Sequence, residues 1–283
     1  MPSKYHAILF DIDGTLIISG GAGAASWRMA FDELYGIPAD IGQYTDTGMT
    51  DPDVGRQTFV AVMHRQPSRA EFAKVLERRL YYLYQMVADS KDYRVLDGVE
   101  ELLPRLLDDG YLLGIVTGNL EASAHIKLHR AKLNRFFSFG GYGSDAADRG
   151  ELTRIALTRA SLVYGEDVRP AQCLVIGDTP HDAEGAHAAG IKCVGVASGK
   201  FDVAQLNAGG ADYVINSLKE GRTSALSAKA VGSVTGGRIA DRDRGLTSGL
   251  IVASSRFLDW DSIGWPAWAL FPSRGSLGCD LSG

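Results

Sequence analysis

The sequence predicts an α/β protein with a doubly wound parallel sheet and an inserted all-helical domain. Short apolar runs alternate with amphipathic helical patterns along most of the chain, as in parallel sheets that helices cover on both faces. The first apolar run is followed by a long segment that contains helical patterns only. At 283 residues, the chain is long enough for a large core with a smaller appended domain.

The predicted strands are continuous apolar runs rather than alternating ones, which is typical of strands buried on both faces. They cover residues 6–11, 111–119, 173–179, 192–199 and 212–217. Helical patterns lie between them at residues 99–110, 121–133, 151–165 and 181–190. This alternation predicts that the C-terminal ends of the strands meet at one edge of the sheet.

The segment 18–90 lacks a convincing strand and interrupts the alternation. Its helical patterns cover residues 23–36, 51–65 and 68–89. Ser68 and Glu71 have the spacing of a capping box at the start of the third helix. We therefore expect a helical domain over residues 18–90, above the ligand-binding edge of a core formed by residues 1–17 and 91–221.

Residues 222–283 differ in composition from the rest of the chain. They are rich in glycine and serine, show no apolar periodicity, and include Trp260, Trp265 and Trp268. This composition favours a disordered C-terminal tail. A partner-binding segment and an altered reading frame are the two alternatives, and the sequence does not separate them.

The overall composition narrows the class of protein. A net charge of -5 argues against binding to nucleic acid through phosphate contacts. Cys173, Cys193 and Cys279 are far apart, which argues against a disulfide framework or zinc site and favours the reducing cytoplasm. The N-terminus does not read as a signal peptide, and no apolar run approaches the ~18 residues of a membrane span.

Polar residues follow three of the predicted strands. Asp11 and Asp13 follow the first, the triplet 117–119 the second, and Asp178 and Asp182 the third. An isolated pair such as Asp11 and Asp13 would be read as turn residues, but three parallel strands would bring all of these groups together. Clustered carboxylates repel unless protons or a cation relieve them, and oxygen ligands favour Mg²⁺ over zinc.

The motifs "FDIDGTL", "VTGN" and "GDTPHDAEGAHAAG", in this order, resemble the haloacid dehalogenase-like (HAD) superfamily, in its phosphoglycolate-phosphatase-like branch. The resemblance covers about residues 5–218 and implies a Rossmann-like core with an all-helical cap domain. It also implies a Mg²⁺-dependent phosphatase acting on a small phosphorylated metabolite, with phosphoglycolate as the default substrate. Asp13 favours phosphoryl transfer, because dehalogenases of this superfamily lack the second aspartate.

The resemblance assigns roles to the motif residues. Asp11 would be the nucleophile, and Asp13 would protonate the leaving group and later accept a proton from water. Mg²⁺ would be held by Asp11, the backbone carbonyl of Asp13 and Asp178, with Asp182 acting indirectly or through water. The phosphoryl oxygens would be bound by Thr117, Gly118 and Asn119.

One departure from the family concerns a lysine that normally precedes the helix before the last motif. Residues 141–160 contain no lysine. Arg149 is the predicted catalytic and substrate-binding substitute, with Arg154 as the alternative. Lys127 lies outside this segment, in the helical pattern 121–133, and is interpreted as a residue on a helix surface.

Several residues have weaker functional interpretations. His125 and His129 have ligand spacing on a helix but no evident third ligand. His181 is read either as a substrate contact or as loop filling. In the helical segment, Thr45, Gly48 and Thr50 are candidates to face the substrate or are simply turn residues.

Two other functions stay open. A sugar-phosphate mutase would use the same core and cap but return the phosphate to sugar. A non-catalytic partner-binding protein is disfavoured, because a binder has no use for a nucleophile beside an acid. The expected partner is a small phosphorylated metabolite, with neither nucleic acid nor membrane, and the oligomeric state is open.

Overall fold

The computed structural model describes residues 7–165 and 167–222. The predictions for residues 223–283, including those for Trp260, Trp265, Trp268 and Cys279, lie outside the described residues. None of the helices in the described part is both long and apolar enough to cross a membrane.

A six-stranded parallel sheet forms the centre of the fold, which confirms the predicted α/β class. The strands are β1 (Ala7–Phe10), β2 (Ile17–Ile18), β3 (Arg94–Val95), β4 (Leu112–Thr117), β5 (Phe139–Tyr142), β6 (Leu174–Gly177), β7 (Lys192–Val196) and β8 (Tyr213–Ile215). The sheet has the order β5-β4-β1-β6-β7-β8, and β2 pairs with β3 in a separate antiparallel ribbon.

Eight α-helices lie within the described residues. They are α1 (Ala22–Tyr35), α2 (Asp51–Met63), α3 (Arg69–Asp89), α4 (Val99–Asp108), α5 (Glu121–His129), α6 (Arg149–Tyr164), α7 (Pro180–Ala188) and α8 (Val203–Ala208). Short 3₁₀ segments cover Ile41–Gln43, Leu133–Phe136, Pro170–Gln172 and Leu218–Arg222. The five predicted strands correspond to β1, β4, β6, β7 and β8, whereas β2, β3, β5 and α8 were not predicted.

Helices cover both faces of the sheet because successive residues of a strand point to opposite sides. In β1, Ile8 and Phe10 pack into a core cluster that includes residues of α4 and α5. Ala7 and Leu9 pack into a second cluster with residues of α6 and α7. All four side chains are buried, so β1 carries the continuous apolar pattern of a central parallel strand.

Helices α1 to α3 form a helical segment between β2 and β3 that has an apolar cluster of its own. This cluster includes Trp27, Phe31, Phe59 and Val75. The predicted capping box of Ser68 and Glu71 is present at the start of α3. The domain boundaries at residues 17/18 and 90/91 stay a prediction, and the chain enters and leaves this segment at the β2–β3 ribbon.

A buried ion pair inside the helical segment lies where the segment contacts the core. Arg79 of α3 lies 2.9 Å from Asp51 at the start of α2, and the Arg79 side chain is only 1% exposed. Arg79 also donates to Ser123 of α5. Asp51 accepts the backbone N–H of Leu120 at 2.9 Å and donates its own N–H to the carbonyl of Gly118 at 2.7 Å.

We expect Arg79→Met to lower the free energy of unfolding by about 3 kcal/mol, because it leaves the buried Asp51 carboxylate without its cation. Urea denaturation followed by circular dichroism measures this change. Arg78→Met is the matched control: Arg78 pairs with Glu33 in water and should matter little. Equal stability of both variants would show that the buried pair does not stabilise the fold.

Candidate active site

The sheet order places the ends of three strands side by side, with β1 between β4 and β6. Asp11 follows β1, Thr117 ends β4, and Asp178 follows β6. Because all three strands are parallel, these residues meet at the C-terminal edge, where α/β sheets bind ligands.

Three buried carboxylates form one cluster at this edge. Each of Asp11, Asp178 and Asp182 offers an oxygen within 4.8 Å of the others. Burial, followed by the charges of neighbouring carboxylates, raises the pKa of Asp178 to about 8. The pKa of Asp11 rises to about 6, mainly through burial, although Arg149 opposes the rise. Such a set of oxygen donors fits a divalent cation, whose charge would relieve the repulsion.

The absence of a side chain at Gly14, next to Asp13, leaves space for the carboxylate of Asp178 in the cluster. Gly14 has φ +85°, a left-handed conformation, and a Cβ at this position would overlap the carboxylate of Asp178. Thr15, the next residue, donates its hydroxyl to Asp178 Oδ1 at 3.3 Å. The sequence "DGT" at residues 13–15 therefore shapes the loop around the carboxylate of Asp178, which follows β6.

Arg149 joins the cluster from the first turn of α6. Its guanidinium lies 3.1 Å from Asp11 Oδ1 and also pairs with Asp182. The backbone N–H and hydroxyl of Thr179 donate to the other oxygen of Asp182, at 3.0 and 2.8 Å. Both oxygens of Asp182 are thus engaged, so this residue orients Arg149 rather than standing free.

Arg154, the alternative to Arg149, lies away from the carboxylate cluster. Its side chain is half exposed, pairs with Glu151, and donates to the backbone carbonyl of Ala188 at 2.9 Å. Of the two arginines, Arg149 is therefore the one that the fold brings to Asp11.

Lys127 is part of the site, so its interpretation as a surface residue is wrong. Its side chain is 6% exposed, and Nζ lies 2.5 Å from Asp13 Oδ2 and 2.7 Å from Asn119 Oδ1. The buried positions of α5 are Ser123, Ala124, Lys127 and Leu128, which is helical spacing. This periodicity was the sequence signal that could have placed Lys127 on the inner face.

Asp13 receives two donors on the same oxygen. Asn119 Nδ2 donates to Asp13 Oδ2 at 2.9 Å, beside the ammonium of Lys127. Burial raises the pKa of the Asp13 carboxyl, but Lys127 and Asn119 outweigh that effect and hold it below its usual value. Asn119 Nδ2 also donates to Thr117 Oγ1 at 2.8 Å, so it connects two predicted site residues.

A cavity of about 220 Å³ opens onto these groups. The core contributes predicted site residues to its lining, namely Asp11, Asp13, Thr117, Gly118, Asn119, Arg149 and Asp178. Of the three loop candidates in the helical segment, Gly48 lines the cavity. Thr50 instead caps α2, and Thr45 donates to the carbonyl of Ile41 at 2.8 Å.

The three candidate histidines, His125, His129 and His181, are not among the described residues that line this cavity. His125 contacts Asn134 at 3.1 Å, and His129 is exposed, so the spacing of the two does not mark a metal site. His181 packs against Gly48, where a Cβ would overlap its ring, and lies near Glu184. It therefore contacts the loop that carries Gly48 and is absent from the cavity lining.

The fold and site define a class of enzyme with a Rossmann-like core, a carboxylate-rich edge and a helical insertion after the first strand. The chain belongs to the haloacid dehalogenase-like hydrolases, since the model of that family matches residues 8–196.

Known proteins resemble the chain over most of its length. A 5'-nucleotidase of Pseudomonas aeruginosa is 29% identical over 202 residues, which are 69% of this chain and 84% of the relative. A phosphoglycolate phosphatase of Pseudomonas putida is 28% identical over 217 residues, 75% of this chain and 76% of the relative. The crystal structure of a hydrolase from Pseudomonas syringae matches with a TM-score of 0.60 at 23% identity. The match covers 78% of this chain and 99% of the hydrolase.

We expect the affinity of the site for Mg²⁺ to rise with pH and to level off above about pH 8. The raised pKa values mean that the metal-free site holds protons that a cation has to displace. Each displaced proton makes the Kd fall about 10-fold per pH unit below the pKa of its carboxyl.

Thermal-shift titrations with MgCl₂, without substrate, measure this Kd between about pH 6 and pH 9. Asp178→Asn is the control and should weaken binding and flatten the upper part of the profile. A constant wild-type Kd over this range would show that Mg²⁺ does not bind at the carboxylate cluster.

Proposed function

We propose that the protein is a Mg²⁺-dependent phosphatase that hydrolyses a small phosphate monoester through an aspartyl-phosphate intermediate. The observation that carries the proposal is the separate pairing of two aspartates: Asp11 with Arg149, and Asp13 with Lys127. Two carboxylates in different electrostatic environments are suited to two different roles in one reaction.

Asp11 would be the nucleophile. A carboxylate oxygen of Asp11 forms the bond to phosphorus, and the bond from phosphorus to the ester oxygen breaks. Arg149, 3.1 Å from Asp11, would lie beside the attacked phosphoryl group and stabilise its negative charge. Because Arg149 is also paired with Asp182, its guanidinium is fixed before the substrate enters.

Asp13 would be the general acid and general base of the reaction. Both of its donors, Lys127 and Asn119, act on Oδ2, so that Oδ1 is the oxygen available for proton transfer. Its low pKa leaves Asp13 ionised in the empty site, so Oδ1 would take up a proton from the incoming phosphate monoanion and pass it to the leaving alkoxide in the first step. In the second step Oδ1 would take the proton of the water that attacks the aspartyl-phosphate. The second step releases phosphate and regenerates the Asp11 carboxylate.

The predicted metal site fits this chemistry. When bound, Mg²⁺ would screen the repulsion between the phosphate and the nucleophile. Asp11, Asp178 and the backbone carbonyl of Asp13 would hold it. Asp182 would act through Arg149 and Thr179, which already engage its oxygens.

The phosphoryl oxygens would be bound at the end of β4. Thr117 is 1% exposed and lines the cavity together with Gly118 and Asn119. Asn119 connects this group to Asp13 through its side-chain amide. The side chain of Asn119 would thereby hold the phosphate site and the carboxylate of Asp13 in fixed positions relative to each other.

The name of one relative makes phosphoglycolate the reference substrate. A sugar-phosphate mutase with the same core would turn over a hexose 1-phosphate without net release of phosphate. The cytoplasm is the proposed compartment, because Cys173 and Cys193 are buried free thiols.

We expect Asp11→Asn to abolish the release of phosphate from p-nitrophenyl phosphate, because an amide cannot form the aspartyl-phosphate. Asp46→Asn, at an exposed position of the helical segment, is the matched control and should keep wild-type activity. Undiminished turnover by a folded Asp11→Asn protein, with deamidation checked by mass spectrometry, would contradict the nucleophile assignment.

Arg149→Ala should lower kcat/KM about 100-fold, a loss of about 2.7 kcal/mol of transition-state stabilisation. Arg149→Lys should restore part of the activity, since the charge returns without the forked geometry. Arg154→Ala controls for the loss of an arginine on the same helix and should stay near wild type. Steady-state kinetics of the three variants measures these kcat/KM values. A large loss in Arg154→Ala with near-wild-type activity in Arg149→Ala would assign the role to Arg154.

A further inference from the structure

The helical segment supplies an apolar wall to the cavity. We define this wall by its four side chains: Trp27 of α1, Ile41, Met49 and Val54 of α2. Trp27 is only 1% exposed and packs against Gly55, where a Cβ would lie 2.6 Å from its ring. The wall is therefore held in place by tight packing inside the helical segment.

The charged residues that the helical segment adds to the lining neutralise each other. They are Asp51 and Arg79, which form the buried pair at 2.9 Å. The Nε of Arg79 is buried without a partner, and the second oxygen of Asp51 is taken by Leu120. Because Asp51 neutralises the charge of Arg79, the unpartnered Nε–H offers a bound molecule one hydrogen bond but no unpaired charge.

The cations on the core side are also engaged. Lys127 pairs with Asp13, and Arg149 pairs with Asp11 and Asp182. Among the described residues, three cations and four carboxylates line the cavity, namely Arg79, Lys127, Arg149, Asp11, Asp13, Asp51 and Asp178. With one divalent cation added, these groups carry one net positive charge, which a single phosphate dianion already exceeds, so that no cation is left for a second anionic group.

Resting on the proposed function, we propose that the substrate is a compact phosphate monoester whose alcohol part is uncharged and partly apolar. A second carboxylate or phosphate would lose its hydration against the apolar wall without gaining a paired cation. The cavity of about 220 Å³ also lies below the ~300 Å³ at which pockets for drug-sized ligands begin. This chemistry disfavours phosphoglycolate itself, which carries a carboxylate.

On the side of the cavity that the helical segment forms, the start of α1 is the feature that would favour a second anionic group. Gly23 and Ala24 line the cavity, and the N-cap, Gly21, has no side-chain hydrogen bond. A helix N-terminus attracts anions. However, a Cβ on Gly23 would lie 3.9 Å from Lys127 Nζ, so this turn lies beside the Lys127–Asp13 pair rather than at an unpaired cation.

Two esters of the same shape test the proposal on the wild-type protein. Isobutyl phosphate and phosphoglycolate have the same number of heavy atoms, but one ends in two methyl groups and the other in a carboxylate. Phosphate release with Mg²⁺ should give a kcat/KM at least 10-fold higher for isobutyl phosphate. A value for phosphoglycolate equal to or above that for isobutyl phosphate would overturn the inference and assign the carboxylate to the start of α1.

Failure of the proposed function gives a different result. If neither ester nor p-nitrophenyl phosphate releases phosphate, the protein is not a phosphatase and the inference falls with that function. If p-nitrophenyl phosphate is hydrolysed and phosphoglycolate is the better of the two alkyl esters, the function stands and only the inference is overturned.

A charge placed in the wall provides a second test. Met49→Lys should shift the ratio of the two kcat/KM values at least 10-fold towards phosphoglycolate, mainly through a lower KM for phosphoglycolate. Gln43→Lys adds the same charge at an exposed position that does not line the cavity and should leave the ratio unchanged. An unchanged ratio in a folded Met49→Lys protein would overturn the assignment of the wall to the alcohol part of the substrate.

Discussion

The repulsion among three buried carboxylates is the constraint on which the rest of the site depends. Asp11, Asp178 and Asp182 come from the ends of two adjacent strands and from a helix, and their oxygens lie within 4.8 Å. Arg149 contacts two of the three, and burial strengthens this attraction because water does not screen it. One arginine at the start of α6 thereby ties the edge of the sheet to the beginning of α7.

The two aspartates of the first motif form ion pairs with cations that come from opposite faces of the sheet. Arg149 reaches Asp11 from α6, whereas Lys127 reaches Asp13 from α5. The cores on the two faces include different helices, so the paired cations have independent structural supports. The pKa values of the two carboxyls shift in opposite directions because the balance differs: burial outweighs Arg149 and raises the pKa of Asp11 to about 6, whereas Lys127 and Asn119 outweigh burial and lower the pKa of Asp13.

The sequence predicted the elements whose pattern is local and missed those that depend on distant contacts. The apolar runs located β1, β4, β6, β7 and β8, but β5 reads "FGGY" and carries too little apolar signal to be recognised. Arg149, which was proposed from its position at a helix start, lies 3.1 Å from Asp11. Lys127 was missed because its partner, Asp13, is 114 residues away in sequence, and only the fold brings them together.

The way in which the helical segment contacts the core has a consequence for access to the cavity. Asp51 and Arg79 both belong to that segment, so their ion pair would stay intact if the segment moved away from the sheet. Such a movement would break the hydrogen bonds of this pair to Gly118, Leu120 and Ser123, each with a net value of about 1 kcal/mol. It would also break those of Arg130 to the carbonyls of Val87 and Ser90 and that of Lys200 to Thr47. Since Gly118 and Leu120 closely follow the end of β4, opening would release the loop that we propose to bind phosphate in the same step, and the Asp51–Arg79 pair would stay intact.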